Sequence, residues 1–281
     1  MIPALSGCMS HIRIVPKTRP ADIVMSTSLE QLIKQINTQY DAIQTMQASV
    51  GIVATTGGGL IGEEKDSLSF SGYIFLRKPD SLRVILRVPL VGSTGLDMVS
   101  VGCKWQLWVP PRKIAKEGTC NSGANEKGLY SLRPSVLFDS LLVHGLTPNE
   151  LVSLTSDTRV VDLDRKKKDL VEEPDYDLEI LTPANGQTLH TGRVIHISRI
   201  DLRPFQQDVY DADGNIVTRA FYSDYQKYGD IWFPSKIIMR RPIDQYSLTI
   251  TITKLTLNQP MADDQFDPIT FPPTVTVQHM N

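Results

Sequence analysis

Residues able to do chemistry are few in this chain and widely spaced. The five histidines, His11, His144, His190, His196 and His279, form no HExxH motif and no other paired-ligand spacing. No GxSxG elbow places a serine nucleophile. The carboxylates sit in turns or alternate outward along strands, and no two are marked as an acid/base couple. Asp211-Ala212-Asp213-Gly214 has the start of a calcium loop but lacks the twelve-residue spacing and terminal Glu, so the Asp-Gly of a hairpin is the simpler reading. Gly57-Gly58-Gly59 lacks a following Gly-Lys-Ser/Thr and reads as a flexible hairpin connection, not a phosphate loop. His196, alone in a strand, reads as a satisfied core or surface residue. The sequence thus marks no catalytic residue, no metal ligand and no cofactor site, and a binding protein is expected rather than an enzyme.

Of the three cysteines, Cys103 and Cys120 could pair. In an oxidising compartment a bridge closing a loop of that size contributes about 3 kcal/mol; the alternative is two buried free thiols. Neither has a CxxC partner or a nearby histidine, which argues against metal and redox chemistry. Cys8 is different. Leu5-Ser6-Gly7-Cys8 resembles the lipobox that closes the signal peptide of bacterial lipoproteins, in which small residues admit the signal peptidase and the thiol is acylated. Only seven residues precede Cys8, too few for a charged and an apolar leader region, so the leader is expected to be cut short in this sequence. The alternative is a free cysteine in a disordered tail. Three acyl chains at about 0.8 kcal/mol per buried methylene would anchor the protein permanently. In lipoproteins an Asp after the cysteine favours the inner membrane; Met9 stands there, which implies the outer membrane. Residues 1–26 are therefore expected to be lipobox and tether, with Pro16 and Pro20 inside it.

The bulk composition fits a globular chain with a sizeable core: 281 residues, 41% hydrophobic and 21% charged. A net charge of −2 creates no global field for nucleic acid or anionic membrane. The basic run Arg165-Lys166-Lys167-Lys168 is flanked by Asp162, Asp164, Asp169, Glu172 and Glu173, so a solvated turn is the better reading. No apolar run approaches the roughly 18 residues that would span a bilayer.

The scaffold centres on Ser69 to Pro110, which reads as four short strands. Phe70, Ile74 and Leu76 share one face, with Tyr73 and Phe75 on the other. Leu82, Val84, Leu86 and Val88 then alternate with Arg83 and Arg87. Lys78-Pro79-Asp80-Ser81, Gly92-Ser93-Thr94-Gly95 and Gly102 supply turns. In the fourth strand Trp105, Leu107 and Val109 oppose Trp108. A sheet apolar on both faces must be covered on both, by helices on one side and a further apolar layer on the other. A long helix is expected from Thr27 to Ser49, with Leu29, Leu32, Ile33, Ile36, Tyr40, Ile43, Met46 and Val50 as its stripe and Thr27-x-x-Glu30 as its capping box. Ser135–Val143 and Pro148–Leu154 read as short, apolar lid helices, and residues 112–127 as a loop. Strands resume around residues 176–180, 193–202, 208–210, 216–225, 231–240 and 246–257. About ten or eleven strands joined mostly by hairpins suit an open barrel, mainly β (α+β), forming one domain over residues 27–281.

Several segments in order resemble the periplasmic lipoprotein-carrier and outer-membrane lipoprotein-receptor family (LolA/LolB-like). They are the long helix before a strand meander, residues 72–79 (GYIFLRKP), residues 98–110 (MVSVGCKWQLWVP), and the ending 266–273 (FDPITFPP), similar to that family's closing strand. The resemblance covers most of residues 27–275. It implies an unclosed antiparallel half-barrel whose concave apolar face, capped by short helices, holds acyl chains. Carriers have Arg before the proline, a residue linked to lid closure. This chain has Lys78 there and Arg77 one place earlier, both candidate rim residues, and Lys lacks the planar fork. Val101 replaces the usual Asp before the turn glycine.

The expected role is a non-catalytic envelope lipoprotein, monomeric, anchored in the outer membrane by Cys8 and facing the periplasm. It would bind acyl chains or lipidated protein, with a part in lipoprotein localisation. The cavity candidates are Phe70, Ile74, Leu76, Val84, Leu86, Trp105, Leu107, Leu248, Ile250 and Ile252. The alternative is an envelope interaction or sensor lipoprotein that holds a protein partner on the same scaffold.

Overall fold

Alternation of apolar and polar side chains governs the chain from Thr45 onward and produces one long sheet. The structure, a computed structural model, describes residues 17–57, 65–120, 131–164, 169–183 and 188–280. Its elements in chain order are β1 (Thr18–Pro20), α1 (Leu29–Asp41), β2 (Thr45–Gly57), β3 (Lys65–Arg77), β4 (Ser81–Arg87), β5 (Thr94–Val101), β6 (Lys104–Val109) and β7 (Ile114–Thr119). There follow α2 (Pro134–Leu141), β8 (Leu151–Asp164), β9 (Asp169–Pro183), β10 (Leu189–Ser198), β11 (Pro204–Tyr210), β12 (Ile216–Tyr228), β13 (Ile231–Arg241), β14 (Tyr246–Leu257) and β15 (Val277–Met280).

The sheet runs in the order β9-β10-β11-β12-β13-β14-β2-β3-β4-β5-β6-β7-β15. Its neighbours are antiparallel except β15, which lies parallel to β7. Residues Leu170–Glu172 of β9 pair with both β8 and β1, so these two strands flank β9 on opposite sides and β8 forms the outer edge. The two ends of the sheet do not join, and it remains open.

Strict register puts one set of side chains inside the curve. Met46 pairs with Leu76, Ile52 with Phe70 and with Ile250, Val84 with Ile74 and Met98, and Met98 with Leu107. These positions form one continuous apolar cluster across β2–β6 and β12–β14. Helix α2, apolar and opened by Pro134, lies over this face and touches β5 and β13; Leu137, Phe138 and Leu141 are buried beneath it. A second cluster joins Leu32 and Ile36 of α1 to Tyr176, Leu178, Ile180, Ile195 and Ile197 of β9 and β10.

The opposite, convex face of β3–β6 is covered by the chain's own C-terminal segment. Phe266 and Ile269 pack on Phe75 and Val99, with Trp108 and Phe271 alongside. Outward-pointing side chains hold this strap. Arg77 pairs with Asp263 at 2.6 Å, Arg83 donates to the Asp267 carbonyl at 2.7 Å while gripping Asp97, and the Ile269 amide donates to Gln106 at 2.7 Å. The expected second apolar layer is therefore supplied from within the chain.

Several expectations need correction. Among the described residues there are fifteen strands, not ten or eleven; β1, β7, β8 and β15 make the difference. The long N-terminal helix is short, ending at Asp41, and Met46 and Val50 belong to β2. A spacing of four fits both a helical stripe and a two-residue alternation, so those two positions could not separate the two. The capping box lies one residue later: Ser28 accepts from the Gln31 amide, and Gln31 Oε1 accepts from the Ser28 amide, both at 3.3 Å. Residues 148–154 are not a lid helix, since Leu151–Leu154 open β8 and pair along β9. Residues 114–119 are a strand, not loop. The 266–273 ending is not a strand: Pro268, Pro272 and Pro273 have no N–H to give a ladder, and the closing strand comes later, at Val277. Thr18–Pro20, expected inside the tether, pair with β9. Cys8 and the lipobox, Gly58-Gly59 and the 165–168 basic run lie outside the described residues.

Candidate functional site

Period-2 alternation brings nine of the ten cavity candidates into one buried set. Ile74, Leu76, Val84, Leu86, Trp105, Leu107, Leu248, Ile250 and Ile252 all belong to the concave cluster, and half-buried Phe70 packs against it. They pack against one another in the cluster that also takes in Leu137, Phe138 and Leu141 of α2, and Ile74, Leu76 and Ile250 are wholly covered. Trp105 differs, because it reaches two openings. One, of about 150 Å³, lies at the start of α2 between Pro134, Phe138, His144 and the residues Cys103 and Cys120. The other is a groove of about 610 Å³ between β5–β7, β15 and the C-terminal strap, lined by Val99, Gln106, Glu117, Phe266 and Met280.

Cys103 and Cys120 are joined by a disulfide that ties the β5–β6 turn to the end of β7. The two rim candidates point to opposite faces. Arg77 lies over the Phe266 ring on the convex side, 4.7 Å from its centroid. Lys78 turns toward α1, donates to the Tyr40 carbonyl and sits 3.2 Å from the centre of the Tyr40 ring. Burial lowers its amine pKa to about 8, against the opposing charge of Asp41. The sequence thus places Arg77 and Lys78 side by side, but the strand alternation separates them.

The cover over the concave face hangs from few polar contacts. Asn37 of α1 donates to the Leu146 carbonyl at 3.0 Å and accepts from the Leu146 amide at 2.7 Å. Gln207 of β11 donates to the Asp139 carbonyl and Arg193 of β10 to the His144 carbonyl, each at 3.2 Å. His144 closes the corner, with its ring 5.0 Å from that of Tyr40 and its Nε2 3.0 Å from Asp139. Beside this corner a cavity of about 40 Å³ opens between α1, the end of α2 and the β12–β13 hairpin, lined by Tyr40, Leu142, Tyr222, Tyr225, Trp232 and Phe233. Pro204, Tyr222 and Tyr225 also border a more polar opening of about 230 Å³ that contains Arg159 and Arg203.

Sequence reasoning missed Arg193, Gln207 and Tyr222. Arg193 did leave a signal: it occupies the inward phase that Ile195 and Ile197 continue, a charge where the alternation calls for an apolar side chain. Among the described residues no group of three or more His, Cys, Asp or Glu side chains could hold a metal ion, and no helix is long and apolar enough to cross a membrane.

Similarity to known proteins bears on the fold. A family model described only as an uncharacterized protein matches residues 155–271. No curated protein matches the sequence. A solved DUF1329 family protein from Desulfovibrio piger superposes with a TM-score of 0.57 at 15% identity, covering 84% of this chain and 95% of its own. A LolA superfamily protein from Nitrosomonas europaea gives 0.52 at 12%, covering 86% and 99%. A domain from Vibrio parahaemolyticus described as an outer membrane lipoprotein-sorting protein gives 0.50 at 12%, covering 84% and 95%. This chain has the LolA/LolB-like fold, as the motifs at residues 72–79 and 98–110 implied.

Proposed function

We propose that this protein is an envelope lipid-binding protein that takes acyl chains, free or attached to a lipoprotein, against the concave face beneath α2. The observation that carries the reading is the pairing of a continuous apolar face across β2–β6 and β12–β14 with a cover of one eight-residue helix. Lifting that helix uncovers the part of this face that it touches, at β5 and β13. Each acyl methylene laid there contributes about 0.8 kcal/mol. The likeness in fold to a LolA superfamily protein and to a lipoprotein-sorting domain supports the same reading. The role is binding, not catalysis. Cys8 is the proposed point of acylation and Met9 directs the anchored protein to the outer membrane, where it faces the periplasm.

Native mass spectrometry of protein extracted from membranes tests this. The expected spectrum shows non-covalent adducts of acyl-lipid mass that disappear on solvent extraction, and a mature N-terminus carrying a covalent lipid at Cys8. Protein that carries no lipid and takes up no added acyl probe would overturn the binding role.

A second reading, an envelope interaction protein, draws on β8. Among the described residues this fourteen-residue strand pairs only with β9 and leaves Leu151, Val160 and Leu163 exposed. Such an edge suits strand addition by a protein partner. A stoichiometric protein partner recovered without lipid would favour it.

A further inference from the structure

The two core clusters meet at Val143, and polar side chains gather there on the inner face of the sheet. Arg193 lies there on β10, in phase with buried Ile195 and Ile197. The neighbouring strands keep that phase: Gln207 pairs with Ile195, Ala220 with Gln207, and Tyr222 stands two residues beyond Ala220. Two of the three, Gln207 and Tyr222, have a buried atom without a partner, and the third, Arg193, is a half-buried cation. Arg193 donates to the His144 carbonyl, and among the described residues no carboxylate comes within ion-pairing distance of it. Glu150 and Asp139 act on the guanidinium only through space, and burial lowers its pKa despite them. Tyr222 is 4% exposed and its hydroxyl has no hydrogen-bond partner; Gln207 is 2% exposed and its amide oxygen has none.

Such groups are costly. A buried hydroxyl or amide oxygen left unpaired costs about 1–3 kcal/mol, and an unpaired buried charge costs more. The two bonds that Arg193 and Gln207 do make both end on the cover, at the carbonyls of His144 and Asp139. Those carbonyls occupy donors that become free together when the cover lifts. The adjoining cavity of about 40 Å³ has room for a few waters, not for a lipid head, so the site is complete only with the cover displaced.

We propose that Arg193, the Tyr222 hydroxyl and the Gln207 Nε2–H, released from the Asp139 carbonyl, donate to the anionic head of the bound acyl ligand, through its carboxylate or phosphate oxygens, while its chain lies along the concave face. The inference rests on the acyl-binding reading and narrows it from lipid in general to anionic amphiphiles. Replacing the lid carbonyls by charged oxygens gives Arg193 the counter-charge it lacks and gives Tyr222 an acceptor.

The test uses the delipidated full chain at pH 8, with palmitate, lysophosphatidylglycerol and hexadecanol competing against dibromostearate. Trp232 lines the adjoining cavity, so quenching of its fluorescence reports occupancy, with Trp232→Phe as the control. Wild type should bind palmitate or lysophosphatidylglycerol about tenfold or more tightly than hexadecanol, the size of a charge-assisted hydrogen bond. The preferred anion assigns the head as carboxylate or phosphate. Arg193→Met should abolish the preference, leave hexadecanol unchanged and raise the melting temperature of the lipid-free protein, because a half-buried charge without an ion pair has gone. Tyr222→Phe should weaken the anion about threefold or more. Equal binding of palmitate, lysophosphatidylglycerol and hexadecanol by wild type would overturn the inference and leave acyl binding standing; binding of none would overturn both. An Arg193→Met protein that melts lower and keeps the anion preference would make Arg193 structural.

Discussion

Burial alone would push the His196 imidazolium below its ordinary range. The 2.6 Å hydrogen bond from Nδ1 to Asp177, with the charges of Asp177 and of Asp208 3.7 Å from Nε2, outweighs burial and holds the pKa at about 9. Asp208 is itself gripped by Arg219 through bonds of 2.8 and 2.6 Å, which overcome its own burial and keep its pKa low. The folded pKa of His196 exceeds the unfolded value of about 6.5, so its stabilisation is complete below that pH and is lost as pH rises through about 9. After allowance for solvent screening the loss is on the order of 1–2 kcal/mol. Urea midpoints measured between pH 6 and pH 9 should fall for wild type and stay flatter for His196→Gln. Lys78 acts with the opposite sign: its folded pKa of about 8 lies below the unfolded 10.5, so the unfolded chain holds more protons and stability rises between those values. Lys78→Met should remove that rise. The sequence read His196 as a satisfied strand residue, but only its Nδ1 is hydrogen-bonded, and the carboxylates that face it were not legible, because they come from β9 and β11 and meet only through strand register.

At the scale of elements, periodicity revealed the strands that carry it and failed where two patterns coincide. β3–β6 and β14 were legible because apolar and polar residues alternate cleanly, as in Leu248-Thr249-Ile250-Thr251. β8 was hidden because its burial is irregular: as the sheet's edge it has no covered face to impose a pattern. Gly72 gave no signal either, yet it decides how closely β3 and β4 approach. A Cβ built there would lie 1.9 Å from the Ile85 carbonyl oxygen, so Gly72→Ala should destabilise by about 3 kcal/mol or more in urea denaturation. The disulfide stabilises a different hairpin set. It links residues 17 apart, and reduction should cost about 3 kcal/mol, read as a lower melting temperature in dithiothreitol. The cover is the element on which the proposed function turns. Asn37 holds it with a donor and an acceptor to Leu146, so Asn37→Ala should speed hydrogen exchange across residues 134–146 severalfold and leave β2–β5 protected. Unchanged exchange there would mean that apolar packing alone keeps the cover closed.

At the scale of the molecule, one end of the strands gathers exposed apolar side chains. At the β4–β5 tip Leu90 and Val91 are 108% and 74% exposed, although the turn is ordered by bonds from the Val88 amide to Ser93 and the Gly92 amide to Val88. Strand directions bring the β13–β14 turn, with exposed Ile243, and exposed Val53 and Leu68 of β2 and β3 to the same end. An ordered hairpin that holds two large apolar side chains in solvent is poorly explained by folding, since nothing among the described residues buries them. On the acyl-binding role proposed above, the protein must approach a bilayer, and this tip is the surface expected to touch it. Burying a Leu and a Val there contributes about 1.5–3 kcal/mol each. Cys8→Ala protein, deprived of any covalent anchor, should therefore still float with phosphatidylethanolamine–phosphatidylglycerol vesicles. Adding Leu90→Asp and Val91→Asp should lower that partitioning at least tenfold and leave uptake of soluble acyl probe unchanged, because the tip lies beyond the concave cluster. Flotation equal in both proteins would assign membrane contact to another surface and leave the two exposed residues without this role.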